Sequence, residues 1–496
     1  MNILHSNSTS DGGVASPGLA KYAGLFSLVG LAVSAAVVGE FSGWNHGLID
    51  GGFGGMLIAT LLVILMYACL CISMAELSTA MPFAGGAYGF ARAAMGPWGG
   101  LIAGLSQIME YQFALSTIVV AIGIELDSIL GEMFGLSFSS PVLWCVIIVV
   151  FLLLNSWDTK LFFRSAIILA IAPIAVLAIF WYLAIPQFDI KYLLSVDVAS
   201  GVSNWLPKGL MGIAWAMPFA IWFFLSIEVV SLAAEETHHP RKNIPRALFW
   251  SFLILACAAL LTLVLNAGIP PGASVVGSSE SPLLLGFQTL LRGNIAPAIL
   301  IFLIMLGSMA SFHSTIYAAG RALFSFSRAG YLPQVLAKTS VKRGTPYISL
   351  VVVGVLTFAL ASVALFFSKK LSAIALLLNM SVLSAITSYV FTLLSFVIMR
   401  YKYPKIHRPY VSPLGVTGAI TGLLIAFITL ILMFTNSGYQ LGLLGCLVIF
   451  VLGGLFFAMK GKALNSHAPE EAFAEALQEH APITNGSSDE FAGEML

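Results

Sequence analysis

The sequence predicts an all-α polytopic membrane protein of about 12 transmembrane helices, in which spans 1–5 and 6–10 form a five-plus-five inverted repeat with helices 1 and 6 broken. Three observations lead there. Of the 496 residues, 59% are hydrophobic and only 9% charged, with a mean hydropathy of +0.96; soluble domains carry about 25% charged residues. Apolar segments long enough to cross a bilayer recur near 23–49, 53–80, 97–130, 140–157, 162–185, 209–235, 245–269, 296–325, 346–367, 371–400, 413–435 and 438–460. The first and the sixth are each interrupted by a glutamate at similar depth among helix-weakening residues. The net charge of +1 offers no bulk attraction for nucleic acid. The five cysteines, Cys69, Cys71, Cys145, Cys257 and Cys446, lie in apolar runs without metal-ligand spacing and read as free thiols. No metal and no cofactor is expected.

Lysine and arginine set the orientation. One set of loops holds Arg92, Lys160, Arg164, Arg241, Lys242, Arg246, Arg328, Lys338, Lys342, Arg343, Lys402, Lys405 and Arg408, whereas the other holds only Lys191, Lys208, Arg292, Lys369 and Lys370. Both termini fall on the basic side. This predicts a multi-pass protein of the cytoplasmic membrane with a cytoplasmic segment 1–22, a core 23–400, spans 11–12 over 401–460 and a cytoplasmic tail 461–496. Within the tail, Glu470, Glu471, Glu475 and Glu479 recur with Ala and Leu as on a short surface helix, and the chain after about 482 reads as disordered.

Span one carries Ser34 to Gly47, SAAVVGEFSGWNHG. Val37 and Val38 favour extended backbone, Gly39 tolerates almost any, and Glu40 places a charge in lipid. Span six reads PFAIWFFLSIEVVSLAAEE over 218–236, where Pro218 removes a backbone donor and opens the helix ahead of Ser226 and Glu228. Each half has an odd number of spans, so the repeats run with opposite topology and the two breaks meet at the pseudo-two-fold axis. A broken helix with an acidic residue at mid-membrane depth builds a cation site; the alternative is a kinked helix with a solvated glutamate.

Other polar residues lie deep in spans. Glu110 in span three is a second amine ligand or proton carrier, and His313 in span eight a member of a proton relay or a satisfied core histidine. Asn379 and Ser381 lie in span ten. Glu76 and Arg92 pair across a basic-side segment as a gate, or are solvated at the interface. Glu235 and Glu236 precede Arg241, Lys242 and Arg246 and form gate ion pairs or a solvated helix end.

Three stretches resemble the amino acid–polyamine–organocation superfamily: AELSTAMPFAGGAYGFARAAMGPWGG (75–100), AIWFFLSIEVVSLAAEETHHPRKNIPRAL (220–248) and RPYVSPLG (408–415). The likeness covers nearly the whole chain. GEFSGWNHGL (39–48) and the span-six stretch are most similar to its ethanolamine permease branch. The resemblance implies a secondary transporter working by alternating access. It places the substrate carboxylate of amino-acid permeases at Val38 and Gly39, and an aromatic lid at Trp222.

Glu40 in that position repels a substrate carboxylate, since like charges in a desolvated pocket cost several kcal/mol. A small amine without a carboxylate removes the conflict. Ethanolamine would offer an ammonium to Glu40 or Glu228 and a hydroxyl to Ser226, with Trp222 and Phe223 placed for cation–π contact. Span five lacks the central lysine that some members of the superfamily use in place of a sodium ion, which leaves the coupling ion open; a protonatable glutamate is consistent with proton coupling or uniport, sodium stays open, and oligomeric state is unassigned. No GxGxxG after a strand, Walker A loop or HExxH is present, which argues against an enzyme or a primary pump. The alternatives are a permease for a neutral or cationic amino acid and a membrane sensor on a transporter scaffold.

Overall fold

The computed structural model describes residues 19, 21–196, 203–292, 295–340, 343–367, 373–435, 437–460 and 464–479. Within them the chain is helical, with one isolated bridge between Ala23 and Thr237 and no strand. Among the described residues ten helices are long and apolar enough to cross a membrane. Two shorter apolar helices, Leu25–Phe41 and Gly209–Phe224, are the interrupted spans one and six, and they bring the total among the described residues to twelve. Most of the segment 1–22 and the chain beyond 479, with the disorder expected there, lie outside the described residues.

Span one consists of Leu25–Ala36, Val38–Phe41 and the 3₁₀ turn Trp44–His46, and it runs into Gly47–Ala80, which contains span two after a kink at Gly52. Span three is the part of Ala87–Phe134 that follows Gly96, and Pro97 opens it; a ring without an N–H suits the first turn of a helix. Spans four and five are Ser140–Trp157 and Thr159–Ala184. Span six is Gly209–Ile221, the 3₁₀ turn Trp222–Phe224 and the single turn Val229–Leu232. Spans seven to twelve are Pro240–Ala267, Pro297–Arg328, Tyr347–Phe367, Ala373–Lys402, Gly415–Thr435 and Gln440–Lys460. The tail adds the helix Pro469–Glu479.

Contacts between spans follow the inverted repeat. Exchanging each span for the one five places along maps the neighbours onto one another. Span one lies on span seven as span six lies on span two; span three lies on span ten as span eight lies on span five; spans two and seven, and three and eight, pair with each other. Spans eight and ten are two-thirds buried over their apolar windows, whereas span twelve is 17% buried. Leu444, Leu447, Val451 and Leu455 of span twelve face outward, as lipid-facing side chains do.

Two local expectations need correction. Pro218 does not open span six; it sits inside Gly209–Ile221, and the break comes later, where Leu225 is extended and Ser226 has φ +73°. Val37 and Val38 are not extended: Val37 is helical at φ −61°, ψ −21°, and the backbone leaves the helix only at Ser42 and Gly43. β-branched residues are tolerated in a helix whose faces are packed, so tertiary contacts override the weak local preference.

Candidate functional site

In an unbroken helix the Val38 N–H would donate to the Ser34 carbonyl one turn back. Here the Ser311 hydroxyl of span eight enters that position. It accepts from Val38 N–H at 3.0 Å and donates to Ser34 O at 2.9 Å. A side chain inserted into the ladder is a recognised cause of a helix kink. Five residues after Val38, Gly43 adopts φ +91°, a region that disfavours any side chain, and span one breaks. Asn45 then donates its amide to the carbonyls of Val276 and Ser279, both at 2.8 Å, and so ties the turn after the break to the segment between spans seven and eight.

The two broken helices meet through backbone. A Cβ on Gly39 would stand 2.2 Å from the Trp222 carbonyl oxygen, and one on Gly43 would stand 2.8 Å from the Trp222 ring. Trp44 stacks on Phe223 with ring centroids 5.5 Å apart. Trp222 is buried, and its indole N–H has no acceptor.

Beside the break in span six lies a polar cluster built by four spans. Tyr111 of span three donates to Glu228 Oε1 at 2.8 Å, with Gln107 one turn away donating to the Tyr111 hydroxyl at 3.5 Å. The Tyr389 hydroxyl of span ten stands 3.1 Å from both Glu228 Oε2 and Glu110 Oε1, and receives the Tyr67 hydroxyl of span two at 3.2 Å. The Glu110 and Glu228 carboxyls lie near each other and near the Ser226 backbone, and Glu110 Oε2 has no hydrogen-bond partner. Ser381 fixes the backbone here, donating to the Glu110 carbonyl at 2.8 Å. Both carboxyls are fully buried, and none of the ion pairs among the described residues includes Glu40, Glu110 or Glu228. The cluster therefore has places for protons or an ammonium and no protein cation to fill them. No group of three or more His, Cys, Asp or Glu side chains that could hold a metal occurs among the described residues.

The structure brings together Glu110, Ser226 and Glu228, and sets the Val38–Phe41 turn, through Gly39, against Trp222, four residues before Ser226. It does not bring Glu40. That carboxyl is buried beside Thr262 of span seven, neither of its oxygens has a hydrogen-bond partner, and the Thr262 hydroxyl receives the Trp181 indole at 3.2 Å. Successive residues on a helix point about 100° apart, so Gly39 facing Trp222 turns Glu40 elsewhere. Tyr67, Tyr111 and Tyr389 escaped sequence reasoning, although their positions in mid-span, away from the interfaces where tyrosine is common, were a usable signal.

The gate pairs also differ from expectation. Glu76 does not pair with Arg92; it holds Arg400 at 2.6 Å, Arg408 at 3.0 Å and the Ser412 N–H at 2.7 Å, so it anchors the segment before span eleven. Arg92 holds Glu471 of the tail at 2.6 Å. Glu235 pairs with Arg328 of span eight at 2.6 Å and not with Arg241, which lies in the first turn of span seven. Glu236 pairs with Arg321 at 2.9 Å and accepts from Tyr317 at 2.9 Å. His313 has both ring nitrogens engaged, by Asn155 at 3.1 Å and Ser165 at 2.8 Å, and links spans four, five and eight apart from the carboxyl cluster. Asn379 donates to the Gly438 carbonyl at 3.4 Å.

A family model described as "Amino acid permease" matches residues 24–459. An uncharacterized transporter of Rhizobium meliloti is 27% identical over 432 residues, 86% of this chain and 89% of its own length. A branched-chain amino acid permease of Bacillus subtilis is 27% identical over 445 residues, 85% of this chain and 89% of its own. The methylthioribose transporter of the same organism is 24% identical over 420 residues, 80% and 85% respectively.

Proposed function

This chain belongs to the amino acid permease family, and from that premise we propose that it is a secondary transporter that imports a small amine, with ethanolamine the best-fitting substrate. The observation that carries the reading is the Glu110–Glu228 pair beside the span-six break, buried with tyrosine hydroxyls and backbone N–H groups but no cation. A ligand ammonium brings three donors and the missing positive charge. A substrate carboxylate brought to the same two carboxyls adds like charge in a desolvated place. The unpartnered Trp222 indole N–H suits the oxygen of an amino alcohol. Because Glu40 faces Thr262, the case against a substrate carboxylate rests on Glu110 and Glu228. One relative is named for methylthioribose, a substrate outside the amino acids.

In this reading the Glu110–Glu228 pair carries a proton when empty and releases it to water as the ammonium binds, which couples transport to protons, and His313 is a tie between helices. The lysine and arginine distribution supports a cytoplasmic location for both termini. A second reading, a permease for a neutral or cationic amino acid, is favoured by relatives named for branched-chain amino acids and for D-serine, D-alanine and glycine.

The deciding experiment is uptake of labelled ethanolamine into proteoliposomes in competition with other amines and amino acids. Saturable uptake that alanine and leucine leave unchanged supports the amine reading. Strong competition by amino acids, with weak ethanolamine uptake, replaces it by the second.

A further inference from the structure

A solvated surface helix would leave its acidic side chains in water. In Pro469–Glu479 the first turn does the opposite: Glu470 is 2% exposed and Glu471 0%. Glu471 accepts from Arg92 at 2.6 Å and from the Tyr88 hydroxyl at 2.7 Å. Glu470 accepts from Arg328 and Ser325, both at 2.5 Å. Further along, Phe473 meets Phe83 edge-on at 5.7 Å. Ahead of the helix, the Asn465 N–H donates to the Ala329 carbonyl at 3.0 Å and its amide to the Arg328 carbonyl at 3.1 Å.

These partners sit on elements that must separate if the bundle is to open at this end. Arg328 closes span eight, and its guanidinium also holds Glu235, at the end of span six, at 2.6 and 3.1 Å. Glu235 in turn accepts from the Ala84 N–H at 2.9 Å, in the link between spans two and three. One guanidinium thus joins span eight, span six and the tail. The tail carboxylate fixes Arg328 in the position from which it grips Glu235.

We propose that Pro469–Glu479 is an intramolecular latch: docked, it holds the end of span six against span eight and slows opening of the bundle there; released, it lets that end part. Only the consequence for transport rate rests on the function proposed above; docking does not.

The test uses the full-length protein in lipid. Glu470→Gln with Glu471→Gln weakens the latch, and Asn465→Cys with Ala329→Cys locks it on oxidation. In the glutamine variant, amide hydrogen exchange is expected to rise roughly ten-fold or more over both 469–479 and 232–237, and ethanolamine uptake to speed up several-fold. The oxidised cysteine pair is expected to slow uptake, with recovery on reduction. Exchange needs no substrate, so an unmodified protein that carries no ethanolamine sinks the transport reading and leaves the latch to be judged by exchange. Three outcomes overturn the latch: no rise at 469–479, a rise there with no change at 232–237, or oxidised protein that exchanges at 232–237 as fast as reduced protein. If the glutamine variant fails to fold, the cysteine pair decides alone.

Discussion

At the scale of single residues, the site is a matter of which way side chains point. Glu228 is buried with Tyr111 and Tyr389 on its two oxygens. Glu228→Gln keeps its size and removes its charge. Losing one member of a buried charged contact costs roughly 2–5 kcal/mol, so ethanolamine uptake is expected to fall at least ten-fold while the amount of protein in the membrane stays the same. Uptake at the normal rate would remove Glu228 from the ammonium site. Gly39 tests the approach of the two broken helices. Gly39→Ala puts a methyl group 2.2 Å from the Trp222 carbonyl, and the overlap predicts about 1–3 kcal/mol of destabilisation, read as a lowered melting temperature in detergent. An unchanged melting temperature together with normal uptake would show that the contact yields easily. Glu40 marks the limit of sequence reading at this scale. Its depth and charge are plain in the sequence, but its direction depends on which face of span one meets span six, and that is set by the contact at Gly39.

At the scale of elements, the interruptions were legible as regions and not as mechanisms. The sequence marks both broken spans by glycine, proline and an acidic residue in an apolar run. It does not reveal that Ser311, far along the chain, supplies the hydroxyl that parts Val38 from Ser34. Ser311→Ala removes that bridge, and the Val38 N–H is then free to rejoin the Ser34 carbonyl. The expected result is a straighter span one, stability within about 1 kcal/mol and uptake reduced much more than stability. A large loss of stability with proportionate loss of uptake would mean the hydroxyl serves folding alone. Ion pairs were misread for a related reason. Glu235 has Arg241 a few residues away in sequence, yet spans six and eight lie together and Arg328 reaches it first. Glu76 is the converse case: two arginines and a backbone N–H converge on one buried carboxylate. Glu76→Ala removes the carboxylate from Arg400 and the Ser412 N–H, while Arg408 keeps its backbone carbonyls, and a loss of roughly 1–3 kcal/mol follows, measurable as reduced yield of folded protein and a lowered melting temperature.

At the scale of the whole molecule, the span count and the meeting of the two broken spans were the most legible features, because hydropathy marks the spans and an odd number of spans per half sets the repeats in opposite senses. The chemistry at the two ends was the least legible, and the ends differ. The end that carries the tail is bridged by buried pairs, Arg321 with Glu236 and Arg92 with Glu471. At the other end, Lys208, just before span six, pairs with Asp50 in the first turn of Gly47–Ala80, and the two are 41% and 24% exposed. Dissolved ions weaken attraction between exposed charges and scarcely reach buried ones. Ionic strength therefore acts unequally on the two ends: added salt loosens the Lys208 end more than the other, so in vesicles of known orientation salt on the Lys208 side should alter the transport rate more than salt on the tail side.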